Sequence, residues 1–157
     1  MSAEARGGER RFVDSNLFVY AHDESAGRKR EVARDLIAGL WGSRSGCLSV
    51  QVLQELFVNL TRKVPKPLPA REAATLIEDL SAWRVHSPGS GDVLSAIELH
   101  ERMGVSFWDA MILTSARSLG CRTLYSEDLN AGQSYDGVVV VSPFEIAGRE
   151  EHRTDPR

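Results

Sequence analysis

The sequence predicts an α/β fold, with a parallel sheet covered by helices on both faces. Short apolar runs of strand type, "RFV", "CLSV", "TLY" and "VVVV", alternate with longer segments of helical periodicity. The runs are short and apolar, as strands in a buried parallel sheet are. The single composition break, "KVPKPLP" at 63–69, is short enough to be a loop inside one domain. A chain of 157 residues suffices for one such domain with a full core.

Taken in order, Arg11, Phe12 and Val13 read as a strand that leads into a short helix. Val32, Leu36, Ile37 and Leu40 share one face of a helix over 28–41, and Trp41 continues that face, so it is expected in the core. A strand over 46–50 follows. Val52, Leu53, Leu56, Phe57 and Leu60 then form one stripe of a helix over 50–62. The three prolines of 63–69 end that helix and precede another over 70–81. Next come strand "WRVHS" and a helix over 92–103. Ser106 caps a last long helix running to Leu119, with Phe107, Trp108, Met111, Ile112 and Ser115 as its stripe. Strands "RTLYS" and "GVVVVS" close the domain, followed by a turn of helix in "PFEIAG". The expected organisation is a flexible lead-in over 1–10, a domain over 11–147 and a polar tail over 148–157.

Composition narrows the function classes. With 42% hydrophobic and 26% charged residues, the chain is globular in character. A net charge of -3 provides no global basic field, so a nucleic-acid partner would need a local basic patch. Cys47 and Cys121 have no zinc-site spacing and are expected to be reduced core residues, which points to a cytoplasmic protein. No apolar run reaches the ~18 residues of a membrane span, and "MSAEARGGERR" lacks the apolar region of a signal peptide.

Four acids stand out against this frame. Parallel strands end at one common edge, where ligands sit. Asp14 directly follows the first strand and Asp128, in "TLYSEDLN", follows the fourth. Glu55 lies in the early turns of the helix after "CLSV", flanking its apolar stripe. Asp109 lies in the first turn of its own helix, where edge reasoning does not place it. Each has a plainer reading. Asp14 or Asn16 can cap a helix, Asp109 can complete a capping box with Ser106, Asp128 can be a turn residue, and Glu55 can be a solvated helix acid. Together they point elsewhere. Two unit charges about 4 Å apart repel by roughly 4 kcal/mol at an effective dielectric near 20, so carboxylates gathered in a cleft need protonation or a cation. All-oxygen ligands suit Mg²⁺ or Mn²⁺.

The segments "FVDSNLFVYAHD", "LSVQVLQELFVNLTRK" and "VSFWDAMILTSARSLGCRTLYSEDLNAGQSYDGVVVVSPF" resemble the successive motifs of a PIN domain, and more narrowly of VapC-type toxins of toxin–antitoxin pairs. The resemblance runs from about 11 to 145. It implies a three-layer α/β/α sandwich with a central parallel sheet, and a metal-dependent single-strand endoribonuclease. By that resemblance Asp14 and Asp109 match the principal ligands of Mg²⁺ or Mn²⁺, Asp128 and Glu55 complete the acidic cluster, and Ser126 and Asn16 stand behind them. Glu127 adds a second acid beside Asp128, and the resemblance favours Asp128. The implied partners are an RNA with a single-stranded region (a tRNA or an rRNA loop), a VapB-type antitoxin and a second copy of the chain as homodimer. Arg62 and Trp41 are candidate RNA contacts.

Other classes fit less well. His22, His86, His100 and His152 are scattered and have no late lysine partner, so a histidine-based ribonuclease is disfavoured. A Mg²⁺-dependent receiver-like phosphoacceptor needs a lysine late in the chain, whereas Lys29, Lys63 and Lys66 all lie in its first half. An aspartate-nucleophile phosphatase needs Asp-x-Asp after the first strand, and here the third position is Asn16. A degenerate PIN domain that binds RNA or protein without cutting ranks below the nuclease, because all four acids are present.

Overall fold

The elements follow the predicted alternation. In order they are β1 (Arg11–Val13), α1 (Ser15–His22), α2 (Arg28–Ser43), β2 (Gly46–Ser49), α3 (Val50–Val58), α4 (Ala70–Leu80), β3 (Arg84–His86), α5 (Ser90–Met103), α6 (Phe107–Ser118), β4 (Thr123–Tyr125), β5 (Ser134–Tyr135) and β6 (Val138–Val141). The computed structural model describes residues 8–145. Most of the expected lead-in, all of the expected tail and the end of "PFEIAG" lie outside the described residues, while 143–145 are helical as expected.

The six strands form one sheet in the order β3-β2-β1-β4-β6-β5. All pairs are parallel except β5–β6. β1 is central because both of its faces are covered: Phe12 and Val13 point to opposite sides and both are fully buried. Leu48, Leu124 and Val140 continue this core across the neighbouring strands. Helices α1 to α4 pack with one another, whereas α5 pairs with α6, and α6 lies along β2, β4 and β6. Among the described residues no helix is long and apolar enough to cross a membrane. Cys47 and Cys121 are buried and free, as expected.

Four details depart from the sequence reading. The helix expected over 50–62 ends at Val58 and continues as a π turn, Asn59–Lys63. There the Thr61 hydroxyl donates to the Phe57 carbonyl at 2.7 Å, a back-bond that competes for the helical acceptor. The antiparallel β5 was not foreseen. It is joined to β6 through Asp136 and Gly137, both at positive φ, a two-residue Asp-Gly hairpin turn. Trp41 is not a core residue. It is 41% exposed and packs edge-on against Trp83 at 5.6 Å. Trp108 and Phe57, placed on buried stripes by periodicity, are 64% and 37% exposed. The helices are covered on a narrower face than the apolar pattern suggests.

Candidate functional site

The strand order reverses between β1 and β4, and in open α/β sheets ligands sit beyond the carboxyl ends of the strands at such a point. Each ladder extends one residue past its strand. The Asp14 amide donates to the Tyr125 carbonyl at 3.0 Å, and the Ser126 amide to the Val141 carbonyl at 3.2 Å. These bonds hold Asp14 and Ser126 side by side. Asp14 is also the N-cap of α1, its Oδ1 accepting from the Ser15 amide at 2.8 Å. The capping reading and the edge reading therefore hold at once.

The Asp14 carboxyl is 4% exposed, and its other oxygen, Oδ2, accepts from the Ser126 hydroxyl at 2.8 Å. Burial pushes its pKa up to about 7; the hydrogen bonds from Ser126 and Ser15 oppose that rise, and the charges of Glu55 and Asp128 add to it. Glu55 and Asp128 thus both lie within electrostatic reach of Asp14.

Their neighbours are specific. Glu55, half-buried, accepts through Oε2 from the Ser15 hydroxyl at 2.8 Å and through Oε1 from the Gln51 amide at 2.9 Å. Asp128, exposed, accepts from Asn16 Nδ2 at 3.0 Å, and its own amide donates to Ser126 Oγ at 3.2 Å. Asn16 Oδ1 is buried without a hydrogen-bond partner. Asn16 and Ser126 therefore each hydrogen-bond one of the predicted acids.

Asp109 has other neighbours. Its amide donates to the capping Ser106 hydroxyl at 3.1 Å, and burial together with the Asp109 charge raises the Tyr135 phenol. Its link to the other acids runs through the backbone of its neighbour, for Gln51 also donates to the Trp108 carbonyl at 3.2 Å. Glu127 faces away from the cluster. Its Oε1 accepts from Lys29 Nζ at 2.5 Å, and Lys29 lies over the rings of Tyr20 and Phe144. Burial raises the Glu127 carboxyl, but the hydrogen bonds from Lys29 and Tyr20 outweigh it and hold the group below its ordinary range.

Of the candidate RNA contacts, Arg62 is exposed on the π turn, and Trp41 lies in the groove between α1, α2 and α4. One further constellation resembles hydrolase chemistry: His86 Nδ1 meets Ser115 Oγ at 2.8 Å, and Nε2 lies 3.6 Å from Asp92. Ser115 is 1% exposed inside α6, so no substrate reaches it, and the group ties β3, α5 and α6 together.

Sequence reasoning missed Ser15 and Gln51. The signals were present: Ser15 adjoins Asp14, and Gln51 stands one helical turn before Glu55.

Among the described residues, no three acidic, histidine or cysteine side chains converge as a ready cage for a metal ion. The donor set nevertheless fits a hard cation. Mg²⁺ keeps several waters and takes one or two carboxylates. Asp14, Glu55 and Asp128 are oxygen donors whose mutual repulsion such an ion would relieve.

The chain belongs to the PIN domain family, whose model matches residues 11–133. Solved structures similar to it include a VapC toxin and complexes of toxin–antitoxin systems. VapC20 of Mycobacterium tuberculosis, described as a sarcin–ricin-loop-cleaving toxin, is 25% identical with a TM-score of 0.56, covering 75% of this chain and 89% of its own. A DNA-bound VapBC complex from Salmonella typhimurium matches at 18% identity and a TM-score of 0.58, covering 84% of this chain and 96% of its own. A toxin–antitoxin complex from Klebsiella pneumoniae matches at 16% identity and 0.61, covering 85% of this chain and 97% of its own. The last two carry the likeness of fold alone. No curated protein matches the sequence.

Proposed function

We propose that the protein is a divalent-metal-dependent endoribonuclease acting on single-stranded RNA, the toxin of a VapBC-type pair. The observation that carries this reading is Asp14. It is a buried carboxyl at a sheet switch point, held near neutrality, with Glu55 and Asp128 beside it. Asp14, Glu55, Asp109 and Asp128 would hold Mg²⁺ or Mn²⁺. When bound, such an ion acidifies water and offsets charge on phosphoryl oxygens.

The chain's own residues do the rest. Ser126 and the Ser15 amide orient the two Asp14 oxygens, leaving the remaining lone pairs for a ligand. Asn16 aims Asp128, and Ser15 and Gln51 aim Glu55. The exposed Arg62 supports backbone binding of a single strand. The reading extends to a cytoplasmic protein, a VapB-type antitoxin and a homodimer. The exposed apolar side chains Phe57 and Val58 on α3 and Leu94 and Ile97 on α5 support the homodimer.

The test is cleavage of end-labelled single-stranded and structured RNAs, including tRNA and an rRNA loop, with Mg²⁺, Mn²⁺ or EDTA and with Asp109→Asn. Metal-dependent products with 5′-phosphate and 3′-hydroxyl ends, lost in the variant, are expected. Products ending in 2′,3′-cyclic phosphate would rule out the mechanism. A degenerate PIN domain that binds RNA or a protein partner without cutting is the second reading. Metal binding without turnover on any of these RNAs would select it.

A further inference from the structure

The geometry points to Gln51 as a positioning residue that ties the Glu55 carboxylate to the first turn of α6, where Asp109 stands. Gln51 Nε2 carries two hydrogens, and both are used: one to Glu55 Oε1 at 2.9 Å, the other to the Trp108 carbonyl at 3.2 Å. Both partners are acceptors, so the orientation of the amide follows from the chemistry. The bond to Glu55 alone would be an ordinary pair one helical turn apart. The bond to Trp108 is different, because it spans 57 positions of sequence and joins α3 to α6.

Glu55 is thereby held on both sides. Ser15, directly after Asp14, donates to Oε2 from α1, and Gln51 donates to Oε1 while bonded to α6. The segments bearing Asp14, Glu55 and Asp109 are thus cross-linked through this one carboxylate. Methionine at position 51 would have similar length and helix propensity and would keep neither bond. Side chains that orient metal-binding carboxylates typically change ion affinity or activity by about 10- to 100-fold when removed.

This inference rests on the reading of the four acids as a divalent-ion site, and the experiment separates the two. Mn²⁺ binding to the metal-free full chain is followed by the electron paramagnetic resonance of the free ion. It is compared for the wild type, Gln51→Met and Asp109→Asn, with RNA cleavage measured against Mn²⁺ concentration and with melting temperatures. For Gln51→Met the expected result is a near-wild-type melting temperature, Mn²⁺ affinity weaker by about tenfold, and cleavage that recovers as Mn²⁺ is raised. Gln51→Ala repeats the comparison in case methionine perturbs the fold. Wild-type Mn²⁺ affinity in a folded Gln51 variant would overturn the positioning role and leave the nuclease reading standing. A wild-type chain that binds no Mn²⁺ would overturn both.

Discussion

Two concave regions of the molecule invite comparison. Between α1, α2 and α4, Phe18, Ile37, Trp41 and Leu76 help to line a groove of about 640 Å³. At the carboxyl edge of the sheet, Asp14 is wrapped by Ser15 and Ser126, with Glu55 and Asp128 close by. The groove is large and mostly apolar. The edge brings together Asp14, Glu55 and Asp128, and the Asp14 carboxyl is shifted well above its ordinary range. The size of a cavity reports shape, while reactivity follows from charge that the protein has made costly to keep.

The largest expected difference between the two regions is in cleavage. Asp14→Asn or Asp109→Asn should lower the metal-dependent rate by about a hundredfold to a thousandfold, on the scale of removing one charge-stabilising group. Trp41→Ala in the groove should change it by no more than about twofold. Initial rates on one labelled RNA compare all three, and a groove variant as impaired as the acid variants would break the contrast.

Stability against pH sharpens it. Folding raises the Asp14 carboxyl from 3.8 to about 7, so the folded state holds this proton more tightly than the unfolded chain. Its favourable contribution is complete below about pH 4 and is lost as pH rises through 7, about 4 kcal/mol in all. Urea midpoints in EDTA should therefore fall between pH 5 and pH 8. In Asp14→Asn that component should vanish, leaving the inactive variant more stable than the wild type at pH 8. Mg²⁺ should restore the wild type more at pH 8 than at pH 5. A wild-type midpoint no lower at pH 8 than that of Asp14→Asn would contradict the strained-acid account.

Gly46 tests the floor beside the groove. A Cβ there would lie 2.6 Å from the Trp83 ring, so Gly46→Ala should cost about 1–3 kcal/mol through overpacking. Its cleavage rate, measured below the melting point, should stay near wild type. The smallest effect is expected at Glu127, whose partner Lys29 is 43% exposed. Glu127→Gln should cost at most about 1 kcal/mol and leave cleavage intact, whereas Asp128→Asn should impair it. Equal losses in both variants would place Glu127 in the cluster after all.

Much of this was legible in the chain. Helical periodicity, cap and proline signals and short apolar runs located α1 to α6 and five of the six strands, because burial against a sheet selects such patterns directly. The missed β5 carried a readable Asp-Gly turn at 136–137 between Tyr135 and Val138. Trp41 and Trp108 misled, since an apolar stripe records which residues are greasy and not how far the neighbouring layer extends over them. For the site, Asp14 and Asp128 followed from strand ends, and Glu55 from a helix start. Asp109 came from resemblance alone, and it is the one acid reached only through a neighbour's backbone.

Sequence by itself determined the alternation of elements, the sheet edge at which Asp14 and Asp128 fall, and the family, because each is written in local patterns of a few residues. Tertiary structure alone decided how the acids are held. Ser126 lies 112 positions from Asp14 and Gln51 lies 57 from Trp108, yet they share hydrogen bonds. It also decided that Glu127 turns to Lys29 while its neighbour Asp128 turns to Asn16. Hydrogen bonds and desolvation act through space over a few ångströms, so these pairings exist only once the sheet has brought distant strand ends together.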